Sequence, residues 1–397
     1  MLEPRKRFIC ETADSMKDEL VSLSHRIHDN PEPGGQEFKA CEWQKEFLRQ
    51  RGFIVENPFC GMATAFKADF DTGARGPQVA FLSEYDALEG VGHGCGHNII
   101  AASALGAAAA LAAAAQKFGL GGRISVFGTP AEETEGGKIP MAEAGCFDGC
   151  ACALMVHPAT ENLICRGGLA AQSVYVEFLG KAAHSSTPSA GINALTSLIR
   201  FFSAMDAVQQ TWPNESKING IITDGGKASN VICEYARGDF TIRAVRKQQI
   251  LAMYSDMQRT AEAAALVTGA KAQVSCGRLY AERYPNRALG AAFKANMEPL
   301  GEIMNYPDPA AQLGSSDIGN VSLVIPAIHE YLSIGDPREL RPHDATFCAA
   351  AVSERADEVV LLAAKGLAMT GFDVMTDKEL GAAMRKEFDE KVRPFQC

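Results

Sequence analysis

At 397 residues the chain is too long for one ordinary core, so two domains are expected. Hydrophobic residues make up 47% and charged residues 22%, the balance of a soluble globular protein rather than of a disordered or membrane-spanning one. A formal net charge of −10 argues against a nucleic-acid partner and an anionic membrane surface, while a small anionic substrate still fits a local basic pocket.

Met1 to Glu19 mix charges without an apolar stretch, so no signal peptide is visible. Twelve cysteines without an export signal read as reduced thiols in a cytosolic protein. Cys146, Cys150 and Cys152 cluster, but no further ligands follow at zinc-site spacing, and they read as buried small residues. Residues 15–51 read as two helices broken at Pro31-Glu32-Pro33-Gly34-Gly35. Residues 78–85 read as a buried strand, and 123–128 and 152–156 as two more. Between the first two lies an alanine-rich helix at 101–118, apolar nearly all round and therefore interior. Its apolar run, Ile99 to Ala115, is too short and too weakly apolar for a membrane span.

Alternating strands and helices imply an α/β domain with a mainly parallel sheet and right-handed crossovers. Ligands bind such sheets beyond the carboxyl ends of the strands, where Asp86, Glu132, Glu133 and His157 are expected to stand. After Gly168 the pattern changes to a strand at 173–178, a helix at 192–209, strands at 218–222 and 240–244, a helix at 248–267 and a strand at 272–276. That order is ferredoxin-like. An inserted α+β domain is therefore expected at 168–284, with 1–167 and 285–397 forming the main domain.

In Gly92-His93-Gly94-Cys95-Gly96-His97-Asn98 a thiolate and an imidazole stand two residues apart between glycines that permit a tight turn. Sulfur plus imidazole suits zinc and its neighbours, although one Cys-x-His pair is a weak signal. Adjacent Glu132 and Glu133 point in different directions, so one can ligate a metal while the other faces the attacking water. A solvated acidic turn is the alternative. His157 can be a metal ligand or a strand-end histidine bonded to backbone. On spacing alone His184 reads as a loop residue and His343 as part of a helix-capping stretch, while His25, His28, His93 and His329 read as structural.

Taken together, nine segments in order resemble the amidohydrolase metallopeptidases of the aminoacylase and carboxypeptidase type, peptidase family M20. They are Ile27-His28-Asp29-Asn30-Pro31-Glu32, Tyr85-Asp86-Ala87-Leu88, Gly94-Cys95-Gly96-His97-Asn98, Pro130-Ala131-Glu132-Glu133, His157-Pro158, Ala183-His184, Ser229-Asn230-Val231-Ile232, Gly314-Ser315-Ser316-Asp317 and His343. The cysteine-containing loop is similar to the branch of indole-acetyl-amino-acid hydrolases and N-acyl-amino-acid carboxypeptidases. Glu84-Tyr85-Asp86-Ala87-Leu88 and Asn98 look like the p-aminobenzoyl-glutamate hydrolase and Xaa-Arg dipeptidase subgroup.

The resemblance implies metal ligation by Cys95, His97, Glu133, His157 and His343, with the Cys95 thiolate able to bridge two ions. It implies Glu132 as general base, Asp86 as the acid steadying a ligand, and His184 as a lid histidine that reaches the partner's site and helps hold the oxyanion. Asn230 and Arg243 match positions that grip a substrate carboxylate, and the resemblance makes 168–284 the lid and dimerisation domain and 1–167 with 285–397 the catalytic, metal-binding domain. Two departures stand out: Asn98 replaces the usual acid after the second ligand, and Ser185-Ser186-Thr187-Pro188 replaces small apolar residues.

The resulting expectation is a cytoplasmic, homodimeric, metal-dependent amidohydrolase. It cleaves small N-acyl amino acids or dipeptides by metal-activated water, using one or two ions per subunit, zinc foremost with manganese or cobalt as alternatives. A hydrolase of aryl amides or amines, a non-catalytic metal-binding scaffold and a Cys95–His97 covalent mechanism are the rivals. An intact Glu132 argues against the scaffold, since a pure binder needs no base.

Overall fold

The computed structural model describes residues 2–395. The chain divides into two compact units, one of Met1–Gly167 with Arg283–Gln312 and Ser316–Cys397, the other of Gly168–Glu282 with Leu313–Ser315.

The first unit opens with α1 (Pro4–Ser15), α2 (Lys17–His28) and α3 (Phe38–Arg49), the last two separated by the expected proline–glycine break. Helix α1 begins on a proline, whose fixed φ suits a first helical turn, and buries Ile9, Cys10 and Ala13. The sheet contains β1 (Ile54–Glu56), β2 (Phe66–Asp71), β3 (Gln78–Ser83), β4 (Arg123–Gly128), β5 (Cys150–Ala159) and, from the end of the chain, β10 (Ala327–Ser333). Its order is β1-β2-β4-β3-β5-β10. Strand β3 pairs in parallel with β4 and β5, and β5 with β10, whereas β2 runs antiparallel to both β1 and β4.

The sheet is mainly parallel as expected, from β4 through β3 and β5 to β10, and β1 and β2 add an antiparallel edge that makes it mixed. In β2 the residues between buried Phe66, Ala68 and Phe70 are Lys67 and Asp69, paired at 3.2 Å, so no continuous apolar run announces the strand. Strand β5 outruns the expected 152–156 because β10 pairs with it through Ala159, which places His157 inside the strand rather than beyond its end.

Helix α4 (His97–Phe118) follows β3 and lies inside the core as its composition required. Its small residues let neighbours approach closely: a Cβ on Gly106 would stand 2.7 Å from Leu20 Cδ1 of α2 and 3.0 Å from Ala364 Cβ. Ala364 belongs to α11 (Glu354–Thr376), which comes after α5 (Lys138–Glu143), α8 (Arg287–Met297), α9 (Ile318–Ser322) and α10 (Ala345–Ala350), and before α12 (Lys378–Lys391). Among the described residues α4 and α11 are long and apolar enough to cross a membrane, for α4 against the expectation from its alanine run because the helix extends beyond 99–115, yet 94% and 72% of their apolar windows are buried in this core. Cys150 and Cys152 are buried as expected, while Cys146 is half-buried.

The second unit runs β6 (Ala170–Leu179), α6 (Ala194–Val208), β7 (Lys217–Asp224), β8 (Tyr235–Ala244), α7 (Lys247–Thr268) and β9 (Lys271–Cys276). Its sheet order β7-β8-β6-β9 is antiparallel throughout, the ferredoxin-like arrangement. Alternate residues of β6 and β8, including Val174, Val176, Phe178, Phe240 and Ile242, form a core with Leu198, Phe201, Met253 and Met257 of the helices. The unit's main segment stops two residues short of the expected 284. It also takes in Leu313–Ser315, held where Leu169 N donates to Gly314 O at 2.9 Å.

Candidate active site

Three loops at the carboxyl side of the parallel strands, β3–α4, β4–α5 and β10–α10, supply one cluster in the first unit together with the tail of β5. The β3–α4 loop carries Glu84, Asp86, Cys95 and, as the first residue of α4, His97. Gly96 adopts φ 75°, and a Cβ there would stand 2.6 Å from Pro158 Cγ, so the turn that presents Cys95 beside His157 requires glycine. Glu132 and Glu133 follow β4 after Ala131, a non-glycine residue at φ 60°, and His343 itself sits at φ 68°. Left-handed backbone at such residues costs roughly 1–3 kcal/mol and persists where the surroundings hold it. Here Ala131 N donates to Glu37 Oε1 at 2.8 Å, and His343 N donates to Gly94 O at 2.9 Å.

The donor atoms converge. Cys95 Sγ lies 3.5 Å from both His157 Nε2 and His343 Nε2. Glu133 Oε1 lies 3.4 Å from His343 Nε2 and 3.9 Å from His97 Nε2. Two ligand sets result, Cys95 with His97 and His157, and Cys95 with Glu133 and His343, each with its atoms within 4.8 Å of one another. Cys95 belongs to both, as a thiolate shared by two ions would.

The hydrogen bonds behind these atoms fix which lone pairs face inward. His97 Nδ1 lies 3.0 Å from Asp86 O and 3.1 Å from Asp86 Oδ1, so it donates its proton there, and in the neutral ring that a metal ligand requires Nε2 is a bare acceptor. His157 Nδ1 donates to Pro158 O at 2.6 Å, which likewise turns an unprotonated Nε2 on Cys95. His97 Nε2 and Glu133 Oε1 are buried and make no hydrogen bond. Converging lone pairs without protons repel one another unless a cation stands between them, so these residues fit a divalent metal.

The electrostatics follow from burial. Burial and the neighbouring His97 push the His157 imidazole down to about 4, keeping it neutral as a ligand must be. Burial also raises the Cys95 thiol, against the pull of His97, which argues against a metal-free thiolate nucleophile. Asp86 would be raised by its burial, but the adjacent His97 and its hydrogen bond hold it at about 2, and its Oδ2 accepts from Glu133 N at 3.0 Å. Burial, then Glu84, Asp317 and Glu133, push Glu132 well above the usual carboxylate range.

The family match follows the same geometry. A peptidase dimerisation domain profile matches residues 169–268, the second unit's core. The mouse protein named Xaa-Arg dipeptidase is 35% identical over an alignment covering 100% of this chain and 94% of its own length. The chain belongs to the M20 peptidase family. It is accordingly a hydrolase acting on carbon–nitrogen bonds. Within the family, one of the Escherichia coli p-aminobenzoyl-glutamate hydrolase subunits is 29% identical over 74% of this chain and 65% of that protein. A Bacillus subtilis structure described as a dinuclear metal binding peptidase from the M20 family shares the fold, with a TM-score of 0.63 and 19% identity over 88% of this chain and 98% of that one.

Of the remaining residues singled out in this M20 peptidase, Asn98 belongs to the first unit and His184, Asn230 and Arg243 to the second. There the His184 and Asn230 loops adjoin: Ser185 N donates to Asn230 O at 2.9 Å, and His184 bridges to Val231. His184 is exposed, and its Nδ1 accepts from Ser186 N at 3.2 Å with Ser186 Oγ 2.8 Å away. In the neutral ring this places the proton on Nε2. Arg243, on β8, donates to Ser315 Oγ at 2.8 Å. Asn98 directs its Nδ2 to Ser24 Oγ and Ala351 O, both at 2.9 Å, and so ties α4 to its neighbours.

Sequence reasoning missed one member of the cluster. Lys138 is fully buried and donates to Glu84 and Asp317. Glu84 and Asp317 lay inside quoted motifs, but a lysine six positions after Glu132 reads as surface, because lysine is almost never fully buried unless paired.

Proposed function

We propose that this M20 peptidase hydrolyses the amide bond of small dipeptides or N-acyl amino acids, using one or two divalent ions in each protomer. The observation that carries the reading is the shared Cys95 position between two ligand sets, with buried Glu132 beside them: Glu132, Glu133 and His97 form a third group with atoms within 4.8 Å. We assign Cys95, His97, Glu133, His157 and His343 as the residues that hold the metal, with zinc the best match to a sulfur and imidazole set and manganese or cobalt as alternatives.

A divalent ion in this place supplies an electrophile for the amide carbonyl and acidity for the attacking water. The chain's own residues do the rest. Asp86 fixes the His97 tautomer and ring orientation. Glu132 takes the proton from the attacking water and returns it to the leaving nitrogen, a cycle suited to a carboxylate whose surroundings favour protonation. His184, with its proton on Nε2, is a donor for the oxyanion, and we assign it to the partner subunit's reaction across a homodimer. Asn230 and Arg243 are assigned to the substrate carboxylate, for which a guanidinium fork is suited. The many free thiols suit a reducing, cytoplasmic compartment.

Aryl amides form a second reading, favoured by the 29% identity to the p-aminobenzoyl-glutamate hydrolase polypeptide. One panel separates the two: zinc-, manganese- and cobalt-loaded protein assayed on dipeptides ending in arginine, other dipeptides, N-acetyl amino acids and p-aminobenzoyl-glutamate. Turnover of the first three classes is expected. Turnover of p-aminobenzoyl-glutamate alone transfers the assignment to aryl amides, and no turnover of any class with any ion defeats it.

A further inference from the structure

Lys138 opens α5 with its side chain wholly inside the protein. Its Nζ donates to Glu84 Oε1 at 2.5 Å and to Asp317 Oδ1 at 2.6 Å, while its backbone N–H donates to Asp317 Oδ2 at 2.9 Å. Carboxylate oxygens of Glu84, Glu132 and Asp317 lie within 4.8 Å of one another. Three buried carboxylates at that spacing repel strongly unless a cation stands among them. Burial alone would discharge the lysine, but Asp317, Glu84 and Glu132 outweigh burial and keep the ammonium charged. The other oxygen of Glu84 faces the candidate metal centre, with Oε2 3.5 Å from His97 Nε2. The network thus connects the α5–α9 side of the unit to the catalytic loops at two acids, Glu84 and Glu132.

We propose that Lys138 is a positioning residue for hydrolysis: its ammonium is a built-in counter-cation among Glu84, Glu132 and Asp317, and holds the Glu132 carboxylate in place beside the metal-holding cluster. The inference rests on the reading of Glu132 as proton carrier. It goes beyond that reading in giving the two acids beside the base, Glu84 and Asp317, a fixed counter-charge supplied by the chain itself. Lysine suits the task because a compact ammonium on a flexible stem can donate to several acids at once.

Lys138→Ala removes the equivalent of n-propylammonium, which makes chemical rescue the test. In the metal-loaded variant, kcat should fall on the order of 10²-fold, the scale of a mispositioned general base, with KM changed by less than about threefold. n-Propylammonium should restore kcat saturably, and 1-propanol, neutral and of the same length, should not. In the metal-free protein n-propylammonium should raise the melting temperature of Lys138→Ala and leave that of the parent unchanged.

Lys138→Met/Asp317→Asn removes one charge of each sign, and serves if Lys138→Ala does not fold; its kcat should fall by a similar factor. A folded variant of either kind with kcat within about twofold of the parent overturns the proposal. So does a loss in Lys138→Ala that n-propylammonium cannot relieve, or failure of both variants to fold, which makes Lys138 a folding determinant instead. Glu132→Gln run in parallel keeps the two ideas apart: normal turnover there defeats the proton-carrier reading itself.

Discussion

Asp86 holds His97 twice through one nitrogen, the imidazole Nδ1 lying 3.0 Å from the Asp86 carbonyl oxygen and 3.1 Å from its Oδ1. The same carboxylate accepts from Glu133 N through Oδ2, so one buried acid sets the orientation of two proposed ligands. Asp86→Ala should therefore weaken metal binding by about 10- to 100-fold, the usual scale for losing such a support, while the fold persists. Competition against a fluorescent chelator measures this. An unchanged metal Kd would show that His97 and Glu133 are held by other contacts.

Glu132→Gln keeps shape and hydrogen-bonding capacity but cannot take a proton. Activity should fall by on the order of 10²-fold or more, with metal content and melting temperature close to the parent's. Elemental analysis alongside steady-state kinetics distinguishes this from loss of metal. A variant that turns over normally would give the proton to another residue.

Chelation should abolish activity, and zinc or manganese should restore it, because buried His97 Nε2 and Glu133 Oε1 have no hydrogen-bond partner and converge with Cys95, His157 and His343 as ligands around a cation do. The covalent Cys95 mechanism makes the opposite forecast: activity survives the chelator and is lost on thiol alkylation of the metal-free protein. Dialysis with and without metal, before and after alkylation, decides between them.

Ser186 stands where small apolar residues are common in the family, and it gives His184 Nδ1 a hydrogen-bonding partner. Ser186→Ala removes the hydroxyl while the backbone N–H remains. A loss of about fivefold in kcat is expected, the equivalent of the ~1 kcal/mol typical of one hydrogen bond. Unaltered kinetics would leave the backbone contact from Ser186 as sufficient to set the tautomer.

If His184 serves the partner subunit, Glu132→Gln and His184→Ala, each nearly inactive alone, should regain turnover when mixed, because mixed dimers contain one site with both groups intact. Exchange of protomers is followed by differential labelling. Completed exchange without recovered turnover would place His184 in the chemistry of its own protomer, or outside catalysis.

The local periods of the chain determined much of this. Strand–helix alternation through residue 159 and the order of the second unit are written in apolar spacing, and the motifs around Asp86, Cys95, Glu132 and His157 stand near the ends of those strands because loops after parallel strands carry the chemistry. Tertiary structure decided what depends on partners distant in the chain. Cys95 meets His157 across 62 positions and His343 across 248, and no spacing rule reports such a contact. The antiparallel edge of β1 and β2 was hidden because Lys67 and Asp69 interrupt its apolar run, and the reach of β5 past His157 depends on β10 pairing alongside. Lys138 is the clearest case: in the sequence it is an ordinary charged residue after two glycines. Only the folding of Glu84 and Asp317 from either side turns burial of its charge from a cost into a requirement.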